Sequence, residues 1–108
     1  MGRLDSIAFV NSELTRDSST ILQVEFIEMY FDPYSETRYN YLTANVSWTA
    51  TPLLTTWVTV SPSSGTGSTT LNIAVEENNS DYDRSGEIRI TGGGKTITIT
   101  VIQYGIPR

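Results

Sequence analysis

The sequence predicts an all-β fold, a sandwich of two antiparallel sheets built from about seven strands. Three observations carry that expectation. Apolar residues recur with a period of two in several short segments, clusters of Gly, Pro, Asn and Ser separate those segments at regular spacing, and β-branched and aromatic residues dominate where the alternation holds. The densest part reads Trp57-Val-Thr-Val-Ser-Pro-Ser-Ser-Gly65, followed by Thr-Gly-Ser-Thr-Thr-Leu-Asn-Ile-Ala-Val75. It describes an aromatic-led strand, a turn at Pro62 and Gly65, and a second strand with Leu71, Ile73 and Val75 on one face.

Taken in order, Ser6 to Val10 is a short apolar run closed by Asn11 and Ser12, a first edge strand. Leu14 to Thr20 is rich in hydroxyl residues that compete for backbone hydrogen bonds and favour turns. Ile21 to Phe31 places Leu22, Val24 and Phe26 on one buried face of a strand, with Ile27 and Met29 on the other. That change of phase predicts a bulge near Phe26, or cover on both faces by a partner or a loop. Asp32 to Asn40 opens on the turn initiator Asp32-Pro33 and reads as a loop or hairpin. Tyr41 to Ala50 returns to a period of two, with Leu42, Ala44, Val46, Trp48 and Ala50 on one face, and is read as one strand ended by Thr51 and Pro52.

Trp57 to Val60 and Thr69 to Glu76 supply the next two strands. Glu76 to Gly86 is an acidic polar loop, and Glu87 to Thr91 is a strand with Ile88 and Ile90 inward. Gly92-Gly-Gly94 predicts a tight hairpin, because glycine reaches positive φ without a Cβ clash. The last strand, Lys95 to Tyr104, sets Thr96, Thr98 and Thr100 against Ile97, Ile99 and Val101.

Composition narrows the chemistry. The 108 residues form one domain, 1–108, with enough chain for a single hydrophobic core. The absence of cysteine and histidine removes disulfides, thiol nucleophiles, the commonest general base and the commonest transition-metal ligand. No cofactor and no catalytic residue is expected, and the chain reads as a non-enzyme. A formal net charge of -5, with seven scattered basic residues, disfavours nucleic-acid binding. No apolar run is long enough to span a bilayer as a helix, so no membrane partner is expected. The start Met1-Gly-Arg-Leu-Asp-Ser-Ile-Ala-Phe-Val10 lacks the pattern of a secretion signal.

Particular residues then carry a resemblance. Trp48, the Trp57 to Gly65 segment, an Asn near position 78, Arg84-Ser-Gly-Glu-Ile88 and the ending Val101-Ile-Gln-Tyr-Gly105 resemble the BACON family of immunoglobulin-like domains, whose name expands to Bacteroidetes-associated carbohydrate-binding, often N-terminal. The family-like part is about 41–105, leaving 1–40 as N-terminal strands and an aromatic hairpin. The resemblance implies an immunoglobulin-like sandwich with Trp48 and Trp57 in core strands. It also extends to virion proteins of crAss-like phages. On that basis the chain is expected to be a non-catalytic virion component, a capsid decoration or head-fibre subunit made in the host cytoplasm, with capsid or fibre subunits as partners. The alternative is a carbohydrate-binding or adhesion module for gut or bacterial surface glycans, at the cell surface or secreted.

The residues offer few sites for chemistry. Glu76, Glu77, Asp81 and Asp83, with Asn78 and Asn79, supply oxygen atoms of the kind Ca²⁺ takes, but in no EF-hand spacing, and read as a solvated loop with no metal. Glu25 and Glu28 point to opposite faces of a regular strand and make a poor hydrolytic pair. The Thr96, Thr98, Thr100 row is a solvent-facing strand face, and the glycines of the hairpin complete no phosphate cradle. Tyr30, Phe31, Tyr34, Tyr39 and Tyr41 concentrate aromatic surface suited to a protein interface, to sugar stacking, or to packing over the end of the sandwich. They are the candidate partner or glycan contacts. Ile7 and Phe9 are the candidate assembly residues, since a strand this short must borrow an edge to bury them.

Overall fold

In the computed structural model, residues 19–53 and 55–107 are described. They form β1 (Leu22–Val24), β2 (Glu28–Phe31), β3 (Glu36–Ala44), β4 (Ser47–Leu53), β5 (Val58–Ser61), β6 (Ser64–Thr66), β7 (Thr69–Val75), β8 (Arg84–Gly92) and β9 (Lys95–Gln103). Two sheets result, one ordered β1-β3-β7-β5 and the other β2-β9-β8-β4-β6. The expected all-β sandwich is present, with nine strands among the described residues. All neighbouring strands pair antiparallel except β2 and β9, which run parallel. A parallel pair needs a long connection, and here β3 to β8 all lie between its two members. The strand foreseen at Ser6 to Val10, with Ile7 and Phe9, lies outside the described residues.

The inward faces interdigitate in one core. Phe31, Leu42, Leu71, Ile73, Ile88, Ile90, Ile99 and Val101 are fully buried, joined by Trp48, Val58 and Val75, with Trp57 and Ile97 partly buried against them. Each such aliphatic side chain contributes about 1.5–3 kcal/mol on leaving water. Trp48 therefore stands in a core strand as the resemblance implied, whereas Trp57 lies one residue before β5 and packs against the core from its margin. The final hairpin also follows the sequence: Gly92 pairs with Lys95 across a two-residue loop, with φ of 58° at Gly93 and 83° at Gly94.

Two long segments change sheet instead of continuing. Residues 21–31 carry β1 in one sheet and β2 in the other, so the change of phase marks a crossover between sheets, not a bulge. Leu22 is buried in the first sheet and Met29 and Phe31 in the second, while Phe26 is 48% exposed. Tyr41 to Ala50 likewise divides, with β3 ending at Ala44 and β4 beginning at Ser47 in the opposite sheet. Apolar residues face inward on both sides of this arch, so the alternation continues through the break. The loop foreseen at Asp32 to Asn40 is shorter than expected because β3 starts at Glu36, and the acidic loop ends earlier because β8 starts at Arg84. The segment Ser64–Thr66, read as turn, pairs with β4 as an edge strand.

Candidate functional site

The crossover shapes the surface of interest. Glu25 N–H donates to Tyr41 O (3.0 Å), keeping residue 25 in the β1–β3 ladder, while Thr100 N–H donates to Ile27 O (2.8 Å), placing residue 27 in the β2–β9 ladder. Phe26 between them belongs to neither ladder. Its N–H donates to Asn40 Oδ1 (3.1 Å) and its carbonyl accepts from Asn40 Nδ2 (2.7 Å), so the buried amide stands in for a strand neighbour. The same Nδ2 points at Met29 Sδ (3.4 Å). Asn40 occupies an inward position of β3, two residues before Leu42, and is fully buried.

Two clefts flank this crossover. One, of about 410 Å³, is lined by Gln23, Val24, Glu25, Tyr41 and Thr43. The other, of about 250 Å³, is lined by Phe26, Glu28, Met29, Tyr30, Arg38 and Tyr39. Tyr39 and Tyr41 project from alternate positions of β3, on its outward face, about 6.8 Å apart along the strand. Their cross-strand neighbours on β7 are Asn72 and Thr70, and Asn72 in turn faces Ser61 of β5. The exposed rings, 67% for Tyr39 and 47% for Tyr41, thus sit among hydroxyl and amide groups.

Charges in the second cleft are largely engaged. Arg38 Nε donates to Glu36 Oε2 (2.8 Å), and its guanidinium lies 5.0 Å from the centre of the Phe31 ring. Tyr30 hydroxyl donates to Glu28 Oε1 (3.2 Å), and its ring stacks on Tyr104 with centroids 6.2 Å apart. The negative charge of Glu28, followed by that hydrogen bond, raises the Tyr30 pKa above the ordinary value for a tyrosine.

The acidic loop is organised by buried polar side chains. Asn78 Nδ2 donates to Tyr82 O (2.8 Å) and Tyr104 O (3.1 Å), and its Oδ1 accepts from Ser80 N–H (3.1 Å). Arg84 donates to Glu76 O (2.9 Å), Glu77 O (3.1 Å) and Gln103 Oε1 (2.8 Å), with its guanidinium 4.3 Å from the centre of the Trp57 ring. Burial lowers the Arg84 pKa, and Glu76 partly opposes that shift. Among the described residues no three carboxylates gather in a group that could hold a metal ion. The motif residues Asn78, Arg84 and Gln103 therefore tie the chain together at one end of the sandwich.

The structure separates the five aromatic candidates. Tyr39 and Tyr41 share one outward face of β3, and Tyr30 and Tyr39 both line the second cleft. Phe31 is fully buried beneath Arg38 and has no surface to offer a partner, because β2 alternates and its odd positions face the core. Tyr34 is 63% exposed in the β2–β3 connection and lines neither cleft. Ile7 and Phe9 lie outside the described residues. Sequence reasoning missed Phe26, Arg38 and the polar residues Gln23 and Thr43. The one available signal was the polar Asn40 standing in phase with Leu42 and Ala44.

Two β-sheets packed face to face, with the chain changing sheet at every connection but that between β8 and β9, place the protein among immunoglobulin-like β-sandwiches. The chain belongs to the BACON family, whose model, described as "Putative binding domain, N-terminal", matches residues 42–104. Among solved structures it is similar to a Bacteroides ovatus GH5 xyloglucanase in complex with a XXXG heptasaccharide, with a TM-score of 0.74 and 22% identity over 82% of this chain. The chain spans 19% of that enzyme's chain. It is also similar to the CsuC-CsuE chaperone-tip adhesion subunit complex of Acinetobacter baumannii (TM-score 0.63, 11% identity, 78% of this chain and 56% of that one). A third similar structure is a protein from Bacteroides thetaiotaomicron (TM-score 0.54, 9% identity, 93% of this chain and 98% of that one). At these identities the likeness is one of fold. No curated protein sequence matches.

Proposed function

We propose that this chain is a non-catalytic glycan-binding module whose site is the outward face of β3 and the two clefts beside it. The observation that carries this reading is the pair Tyr39 and Tyr41, exposed on one strand face among Gln23, Thr43, Thr70 and Asn72. Pyranose rings present apolar faces that stack on aromatic side chains, and their hydroxyls need donors and acceptors at the rim. The membership of a family described as a binding domain supports the same reading. Hydrolysis is a poor fit. Two carboxylates must flank one glycosidic bond, and here Glu25 lines one cleft and Glu28 the other.

A glycan array followed by calorimetry tests the proposal. Binding is expected, with loss of about tenfold or more on Tyr39→Ala or Tyr41→Ala, corresponding to about 1.4 kcal/mol or more, and little change on Tyr34→Ala. Absence of binding to every glycan, or binding indifferent to the first two substitutions, overturns it. The virion reading turns on Ile7 and Phe9 and on the particle itself, and mass spectrometry of purified particles is its test. A glycan-binding face is compatible with either location.

A further inference from the structure

We infer that the glycan this face takes is a neutral, extended β-linked chain, bound along its length and not at its end. The inference rests on the reading of the Tyr39 and Tyr41 face as a glycan site and names its ligand class. Charge supplies the first argument. Each cleft carries a carboxylate, Glu25 in one and Glu28 in the other, and the chain as a whole has a net charge of -5. Arg38 is the basic residue lining these clefts, and it is held by Glu36 and by the Phe31 ring. A uronate or sulfated sugar placed here would meet two carboxylates and an arginine already engaged, whereas hydroxyl groups are served by both acids and amides.

Shape supplies the second argument. Glu25 and Tyr41 line one cleft while the adjacent Phe26 and the next outward residue of β3, Tyr39, line the other, so the two clefts adjoin along the strand and the binding surface is extended. A single sugar fills one cleft; a chain fills both. Tyr39 and Tyr41 point the same way from an extended strand and therefore present two rings to one side of a ligand. An extended ribbon, in which β-linkages keep successive sugar faces accessible, matches two rings on a straight strand better than a coiled α-linked chain does. Because each occupied cleft adds contacts without a second loss of translational freedom, affinity should rise with chain length until both are filled.

The experiment is calorimetry of the full chain with the hexaoses of β-1,4-linked glucose, xylose and mannose, the matching disaccharides, and polygalacturonate as an anionic polymer. At least one neutral hexaose should bind, at least tenfold more tightly than its disaccharide, with polygalacturonate bound at least tenfold more weakly. Glu25→Gln with Glu28→Gln should raise polygalacturonate affinity and narrow its gap to the hexaose at least threefold, and a gap unchanged or widened by the two substitutions counts against the charge argument. Preference for polygalacturonate, equal affinity for disaccharide and hexaose, or failure of all three hexaoses overturns the inference. Sensitivity to Tyr39→Ala with some other glycan would in each case leave the proposed function standing. If no glycan of any class binds, both fail together.

Discussion

The side-chain amide of Asn40 pairs with the backbone of Phe26 through both its donor and its acceptor, at 2.7 and 3.1 Å, at the point where the chain leaves one sheet for the other. Phe26 lies between the β1–β3 and β2–β9 ladders and so pairs with neither. Here the neighbouring strand β3 supplies a side chain in place of a strand partner. The arrangement explains why a polar residue occupies a fully buried position of β3, and it links the core directly to the clefts, since Phe26 and Met29 line one of them.

Asn40→Ala should therefore destabilise the fold by about 2–3 kcal/mol, because it leaves a donor and an acceptor of Phe26 unsatisfied and removes packing. Asn40→Asp should also destabilise, since a carboxylate cannot donate to the Phe26 carbonyl and its charge would be buried. Urea denaturation checks both. A loss below about 0.5 kcal/mol for the alanine variant would show that water replaces the amide without cost.

At the other end of the sandwich, Arg84→Lys should cost about 1–3 kcal/mol despite keeping the charge. Lysine has no planar fork to reach Gln103, Glu76 and Glu77 at once, and it covers the Trp57 ring less well. Gln103→Leu should be of similar size, because Asp32 O and Glu76 O each lose a donor. Because Arg84 and Gln103 share one hydrogen bond, the double substitution should cost less than the two singles combined, as a denaturation cycle would reveal.

Alkaline titration provides a separate check on the second cleft. Tyr30 should ionise above the ordinary tyrosine value in the folded protein, and Glu28→Gln should bring it back toward that value in a tyrosinate absorbance titration. The direction fixes the linkage. A folded-state pKa above the unfolded value of about 10 means that the folded state holds this proton more tightly. The contribution to stability is complete below the unfolded pKa and is lost as pH rises through the folded one. Tyr30→Phe should remove that part of the alkaline decline.

The hairpin between β8 and β9 isolates backbone strain from packing. At Gly94, φ is 83° and a Cβ would meet nothing within 4 Å, so Gly94→Ala should cost about 1–2 kcal/mol from conformation alone. Gly94→Asn should cost less, since asparagine tolerates positive φ. Thermal denaturation of the two variants distinguishes them, and equal losses would count against a backbone origin.

Much of this architecture was legible in the sequence, and the failures share one cause. Period-two alternation identified inward residues such as Leu42, Trp48, Ile73, Ile90 and Ile99, and Gly92 to Gly94 gave the hairpin. What alternation does not report is which sheet a residue faces inward from. Leu42 and Ala44 point into the core from one side, Trp48 and Ala50 from the other, and the pattern runs unbroken through Asn45 and Val46. At Phe26 the phase did break, but a bulge and a crossover leave the same trace. The site was half visible for the same reason. Tyr39 and Tyr41 could be chosen as exposed aromatics, whereas their neighbours Phe26, Glu28 and Gln23 reach them only because the crossover folds β1 and β2 around β3.

The parallel pairing of β2 with β9 bears on how the molecule carries load. Glu28 lies beside Thr100 and Phe31 beside Gln103, so the chain enters β2 at one end of the pair and leaves β9 at the other. Tension applied between residues 28 and 103 pulls these strands along their length in opposite directions. Their hydrogen bonds are then stressed together in shear instead of parting one at a time like a zipper. Such a pull therefore loads the β2–β9 pair as a unit, and force spectroscopy should find a higher unfolding force between residues 28 and 103 than between residues 84 and 103, where the β8–β9 hairpin opens one bond at a time from its free end.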